Sequence, residues 1–173
     1  MNEALGVGEE ERRRKRILPA TLLPIERVIA QATARDLAAV APLFDAYRAF
    51  FAGYRDLDES RRFLAERLAT GDSVVFVAWR GDEAEGFIQL YPLWSSWHCR
   101  RIWFLSDLYV KESCRQRGAG RQLVERVVAY ARETGASSVM VELPHREPHL
   151  TEFYAALGFH KDSIFDLARH VVP

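Results

Sequence analysis

Apolar positions first become regular at Val28-Ile29-Ala30, a short run that predicts a strand. Thr33-Ala34-Arg35-Asp36 follows, a Thr-x-x-Asp variant of the capping box that opens a helix. Leu37, Val40, Phe44, Tyr47 and Phe51 then recur at helical spacing and form one apolar face. A second helix from about Asp58 buries Phe63, Leu64 and Leu68 and stops at Gly71. The period then changes to that of strands. Residues 74–79, a polar turn at Arg80-Gly81-Asp82-Glu83, and residues 86–91 read as a hairpin. Arg101 to Val110 is a third strand of the same sheet. Simple alternation puts Ile102, Phe104, Leu108 and Val110 on one side and Trp103, Leu105, Asp107 and Tyr109 on the other.

Beyond Gly118-Ala119-Gly120, the residues Leu123, Val124, Val127, Val128 and Ala131 form the stripe of a helix that ends at Gly135. Ser138 to Leu143 reads as a buried strand and Thr151 to Leu157 as a short helix. Gly158-Phe159 starts a final strand region, with a weak last strand near Leu167 to Val172. The order β-α-α-β-β-β-α-β-α-β is that of an α/β fold: a mixed sheet with helices on its faces.

Residues 1 to about 26 are charged, interrupted by proline and lack a hydrophobic period, which predicts an extension ahead of a single domain over residues 27–173. Lys plus Arg and Asp plus Glu both total 24, so no bulk field points to nucleic acid or a membrane. The run Arg12 to Arg16 follows Glu9-Glu10-Glu11 and reads as a solvated segment or helical arm rather than a nucleic-acid contact. No apolar stretch approaches the roughly 20 residues that span a bilayer. The piece Ile17 to Ile25 carries Pro19 and Pro24 and does not suit a signal peptide, so the expected setting is the cytoplasm. Cys99 and Cys114 sit in no CxxC or Cys/His cluster, which argues against a zinc site or a disulfide framework. Cys114 has no obvious base beside it and is given no role.

The segment richest in chemistry runs from Leu108 to Leu123. A strand enters a loop with Arg115 and Arg117, then a Gly-x-Gly turn, then an amphipathic helix. Glycines let a backbone approach a ligand and expose its N–H groups, and a helix N-terminus adds partial positive charge, so this junction suits a phosphate or pyrophosphate. It is no Walker A loop, and Leu123 stands where a dinucleotide fold carries its third glycine.

Arg115-x-x-Gly118-x-Gly120 resembles the acetyl-CoA signature of the GNAT superfamily of N-acetyltransferases, Gln/Arg-x-x-Gly-x-Gly/Ala. Phe153-Tyr154-Ala155-Ala156-Leu157-Gly158-Phe159 is similar to the second signature of that family, Phe-Tyr-x-x-x-Gly-Phe. The likeness covers about Val28 to the last strand region. Tyr47-Arg48-Ala49-Phe50-Phe51, Gln89-Leu90-Tyr91-Pro92 and Trp103 to Val110 are most similar to the histone/polyamine branch.

The resemblance implies the GNAT fold, a mostly antiparallel mixed sheet whose splayed central strands form an acetyl-CoA cleft. It implies that the backbone of Leu108, Tyr109 and Val110 binds the pantetheine arm. The pyrophosphate falls to the loop of Arg115, Gln116, Arg117, Gly118, Ala119, Gly120 and Arg121, and Thr151 and Phe153 join the cofactor site. Tyr154 is implied as the general acid for the departing thiolate. Glu147 stands where many members carry an asparagine that touches the cofactor, so that contact is either absent here or remade by His149 or Thr151.

An attacking amine must be neutral, although a free alkylamine has a pKa of about 10, so a base or a water chain is needed. Asp107 and Glu142 are the candidates. Polyamine enzymes carry Glu-Asp where this chain has Ser106-Asp107, so only the second acid is kept. Tyr47, Phe50, Tyr54, Tyr91, Trp94 and Trp97 lie on segments with which the family walls its acceptor cleft. Together with Asp107 they suit a cationic amine, through cation–π attraction and charge pairing. The expectation is an acetyl-CoA-dependent enzyme without a metal, acting on a polyamine, an amino acid or a protein lysine, with a homodimer left open. The competing reading is a non-catalytic GNAT-fold sensor of acyl-CoA.

Overall fold

Alternate residues of one strand enter two separate cores, which puts the sheet at the centre of the molecule. Val74, Phe76 and Ala78 join one core, and Val75 and Val77 the other. The computed structural model describes residues 26–145 and 147–161. The expected N-terminal extension up to residue 25 and the last strand at 167–172 lie outside the described residues.

Among the described residues five strands lie in chain order: β1 (Arg27–Gln31), β2 (Val74–Arg80), β3 (Glu83–Ser95), β4 (Arg100–Val110) and β5 (Val139–Val141). All neighbours are antiparallel except β4 and β5, which are parallel. Helices α1 (Leu37–Ala52) and α2 (Leu57–Thr70) cover one face with Val40, Ala41, Leu43, Phe44 and Leu64. Helices α3 (Ala119–Glu133) and α4 (Pro148–Ala155) cover the other with Leu123, Val124, Val127 and Tyr154.

Local chemistry sets most boundaries. The capping box forms as expected: Thr33 Oγ1 accepts from the Arg35 N–H at 3.3 Å, and Asp36 Oδ2 accepts from the Thr33 N–H at 2.8 Å. A short 3-10 turn at Ala34–Asp36 leads into α1. Asp56 accepts from the Glu59 N–H at 2.8 Å and starts α2 one residue ahead of Asp58. Leu64 is fully buried, and Phe63 and Leu68 are partly so. Gly71, at φ 66°, ends α2 in the left-handed region. Helix α4 starts at Pro148, ahead of the expected Thr151, because proline suits a first helical turn.

The two faces expected for β4 are corrected. Gln89 opposes Asp107 while Leu90 opposes Leu105, so Ser106 is the extra residue of a β-bulge. One inserted residue reverses every side chain beyond it. Trp103 and Leu105 therefore share the α3 core with Leu108 and Val110, while Tyr109 joins the core under α1. The strand expected over Ser138 to Leu143 is also shorter, and it is not fully buried, since Met140 is exposed. Among the described residues it pairs with Trp103, Phe104 and Leu105 alone. The bulge bends β4, and past Leu105 the two strands part.

Gly86 lets β3 and β4 run close together where β4 has lost its other neighbour. A Cβ there would stand 2.5 Å from the Tyr109 carbonyl oxygen and 3.1 Å from Val110 Cα, both backbone atoms that cannot swing aside. Gly86→Ala is expected to lower stability by about 2–3 kcal/mol. Chemical denaturation checks this, and an unshifted midpoint would contradict it.

Candidate active site

The parting of β4 and β5 is where polar side chains gather. The Ser106 carbonyl, at the bulge, accepts from the Tyr47 hydroxyl of α1 at 3.4 Å. Tyr47 also lies against the Asp107 carboxylate. Burial pushes the Asp107 carboxyl above the usual carboxylate range, and hydrogen bonds from Tyr47 and Ser106 oppose that push only in part. The same burial, with the Asp107 charge next in weight, raises Tyr47 above the ordinary phenol range. Tyr91 of β3 is pushed up to about 12, first by burial and then by Asp107.

Tyr154 on α4 is 4% exposed and wedged between Phe153 and Phe159, whose ring centroids lie at 5.0 and 5.3 Å. Burial holds its phenol above the usual range, so it stays protonated at neutral pH. Tyr154 and Glu142 both act electrostatically on Tyr47. The structure thus brings Tyr47, Tyr91, Asp107, Glu142 and Tyr154 together, from α1, β3, β4, the residue after β5 and α4. Glu142 is exposed and just past the strand on which it was expected. Gln89, fully buried and opposite Asp107 in the β3/β4 register, donates from Nε2 to Ser73 Oγ at 2.9 Å and to Tyr91 Oη at 3.1 Å.

The same strand leads to the expected phosphate loop. Leu108, Tyr109 and Val110 pair with Ile88, Phe87 and Gly86 on one side and have no strand partner on the other among the described residues. Gln116 at φ 58° and Gly118 at φ 82° both adopt positive φ, a backbone conformation found in turns whose N–H groups form anion-binding nests. Among the described residues no side chain caps α3, an arrangement in which its first N–H groups and its dipole suit an anion. A Cβ on Gly120 would sit 3.6 Å from Phe153 and 3.9 Å from Val110, so this turn, Phe153 and the end of β4 are packed as one unit.

Arg115 is turned back on the strand: its Nε donates to the Val110 carbonyl at 3.1 Å, and its guanidinium lies 5.8 Å from the Tyr109 ring centroid. Arg121 pairs with Glu125 on the surface at 3.6 Å. Thr151 is half-buried on α4 beside Phe153, and His149 pairs with Glu147 at 3.4 Å.

The expected aromatic wall divides. Tyr47 and Tyr91 meet at Asp107, whereas Phe50, Tyr54, Trp94 and Trp97 are exposed, Trp94 at 71%. Trp94 pairs with Arg101, five residues along β3 from Gln89, a span of roughly 17 Å in an extended strand. The guanidinium of Arg101 covers the Trp94 ring at 5.3 Å. Tyr54 lies under Arg48, 5.7 Å from its guanidinium carbon. Sequence reasoning quoted Gln89 within a family-like segment but gave it no role, and it missed Ser73 and the ion cluster of Arg27, Glu85 and Arg80, which no motif marks.

Cys114 is buried and Cys99 exposed, and both thiols are free. Among the described residues no group of three or more His, Cys, Asp or Glu side chains could hold a metal, and no helix is long and apolar enough to cross a membrane.

A profile described as the acetyltransferase (GNAT) family matches residues 40–159. The chain is 37% identical over 137 residues to the uncharacterized N-acetyltransferase YhfO of Bacillus subtilis (strain 168), across 79% of this chain and 92% of the relative. A crystal structure described as a probable acetyltransferase superimposes with a TM-score of 0.80 at 34% identity, over 84% of this chain and 98% of the other. The D-amino-acid N-acetyltransferase HPA3 of Saccharomyces cerevisiae (strain ATCC 204508 / S288c) is 29% identical over 103 residues, 60% of this chain and 63% of the relative.

Proposed function

The chain belongs to the acetyltransferase (GNAT) family, and on that premise we propose that it transfers an acetyl group from acetyl-CoA to a primary amine within a ternary complex. The observation that carries the reading is the convergence of Asp107, Tyr47, Tyr91 and Tyr154 where β4 leaves β5, just ahead of the point where the same strand runs into the left-handed loop. The loop amides from Gln116 to Arg121 hold the pyrophosphate, and the edge of Leu108, Tyr109 and Val110 that has no strand partner among the described residues holds the pantetheine arm. The thioester is thereby laid along β4 toward Tyr154. Phe153 and Thr151 close that side.

The amine arrives as a cation, and Asp107 with Glu142 supplies the negative charge that attracts it. Asp107 takes a proton from the amine nitrogen, directly or through water. Its raised pKa makes it a better base than an ordinary carboxylate. The nitrogen then bonds to the acetyl carbonyl carbon, the carbon–sulfur bond breaks, and Tyr154 delivers a proton to the departing sulfur. Two protons leave the nitrogen, one from the cation before attack and one from the adduct after it; one makes good the proton that Tyr154 gives the sulfur and the other passes to solvent, so the step balances without a covalent acetyl-enzyme.

The acceptor is a polyamine, an amino acid or a lysine side chain. The likeness of Trp103 to Val110 to the histone/polyamine branch favours a cationic acceptor. The relative named as acting on D-amino acids is consistent with an amine.

Thiol release from acetyl-CoA against a panel of polyamines, amino acids and lysine peptides tests the reading. At least one amine is expected to be turned over. CoA binding with no turnover on any member would instead make the protein a sensor of acyl-CoA.

A further inference from the structure

A buried ion cluster at the start of β1 lies directly behind the phosphate loop. Arg27 opposes Arg80 in the β1/β2 register, and both reach Glu85 on β3. Arg27 Nε donates to Glu85 Oε2 at 2.5 Å, and Arg80 Nε donates to Oε1 at 2.6 Å. The Arg27 and Glu85 side chains are 5% and 3% exposed. Burial by itself would raise the Glu85 carboxyl, but hydrogen bonds from Arg80 and Arg27 outweigh it and hold the group below the usual carboxylate range. Of the two guanidinium groups that share this carboxylate, that of Arg27 is the buried one, and it lies on the loop side.

Arg27 does more than neutralise Glu85. Its Nη1 donates to the Arg117 carbonyl at 3.0 Å and to Gln122 Oε1 at 3.1 Å. Nη2 is buried without a partner among the described residues. A Cβ on Gly118 would stand 4.0 Å from Nη1, so the guanidinium lies beneath the glycine that caps α3. In a trans peptide the C=O and the next N–H point in opposite directions. Drawing the Arg117 carbonyl inward therefore aims the Gly118 N–H outward, away from the protein. The same hydrogen bond ties β1 to a loop in which Gln116 bears a left-handed strain that glycine would not.

We propose that Arg27 is a positioning residue for the donor's diphosphate: by pinning the Arg117–Gly118 peptide and placing buried positive charge behind it, Arg27 sets the affinity of the loop for acetyl-CoA. This rests on the acetyl-CoA reading above. It predicts an effect confined to the part of the donor that carries phosphate. A residue that merely held the fold together would affect every donor and every step alike.

The test compares wild type with Arg27→Met and Arg27→Lys, using acetyl-CoA and acetyl-pantetheine, which has the thioester but no diphosphate. In Arg27→Met, Glu85 keeps Arg80, so the carboxylate is not left unpaired. The KM for acetyl-CoA is expected to rise about tenfold or more, the scale of a lost charge-assisted hydrogen bond, with kcat at saturation within about twofold of wild type. The kcat/KM for acetyl-pantetheine is expected to stay unchanged. Arg27→Lys keeps the charge beside Glu85 but has no fork to reach Arg117 at the same time. It is expected to give a smaller rise with the same donor selectivity, and it carries the test should Arg27→Met not fold. Equal losses on both donors, a fall in kcat alone, or no change would overturn the assignment of Arg27. A wild type that neither binds CoA nor prefers acetyl-CoA to acetyl-pantetheine would instead overturn the acetyl-CoA reading.

Discussion

Replacing Tyr154 with phenylalanine is expected to lower kcat by about 100-fold or more, the lower range for a positioned proton donor. The ring keeps its place between Phe153 and Phe159, and only the hydroxyl is lost. The melting temperature should therefore move by less than about 4 °C, a shift worth roughly 1 kcal/mol in a domain of this size. The KM for acetyl-CoA should change little, because the loop amides and the β4 edge are untouched. Since burial keeps the phenol protonated, the loss is expected across the neutral range rather than at one end of the pH profile. Turnover measured at saturating substrates checks this. An unchanged kcat would remove Tyr154 from the chemistry and return it to the core, where its burial also fits.

Asp107→Asn is expected to cost about 100-fold in kcat/KM for the amine and to abolish the acidic limb of its pH profile. In wild type the rate should rise as Asp107 ionises, and burial displaces that limb upward from the ordinary carboxylate range. The stability effect has the opposite sign. A carboxyl whose pKa is higher folded than unfolded binds its proton more tightly in the native state. Its contribution is fully present below the unfolded pKa and is lost as pH rises through the folded one. At neutral pH the ionised Asp107 therefore weighs against the fold, and asparagine relieves it. The variant should melt at or above the wild-type temperature at pH 7 and lose that advantage in acid. A less active but no less stable protein marks a residue kept for chemistry. A variant that retained its acidic limb would point to Glu142 or a water chain as the base.

How much of this was legible in the chain depends on how local each signal is. The capping box at Thr33, the stripe Leu123 to Ala131, and the glycines at 71, 118 and 135 were readable because their partners lie within a few residues. The two motif segments were readable for the same reason, and the packing of Gly120 against Phe153 shows that they meet. The faces of β4 were not readable. Ser106 is a bulge only relative to the register of β3, and nothing in the residues from 101 to 110 announces that one of them is unpaired. The aromatic wall was half readable: residue type marked six candidates, but distance along β3 separates Trp94 from Asp107 while leaving Tyr91 beside it.

The elements from β1 to α4, their order, and a phosphate-suited turn with a tyrosine downstream can be read from the chain alone, because propensity, capping and hydrophobic period act over a turn or a strand; the strand expected from Gly158-Phe159 does not form over residues 158–161. Tertiary structure decided which groups share a dielectric environment. Asp107 is raised because α1 and β3 bury it, and Arg27 reaches Glu85 and the Arg117 carbonyl across 58 and 90 residues of chain. Burial and long-range hydrogen bonding depend on the summed packing of several elements, so no window of the sequence contains them.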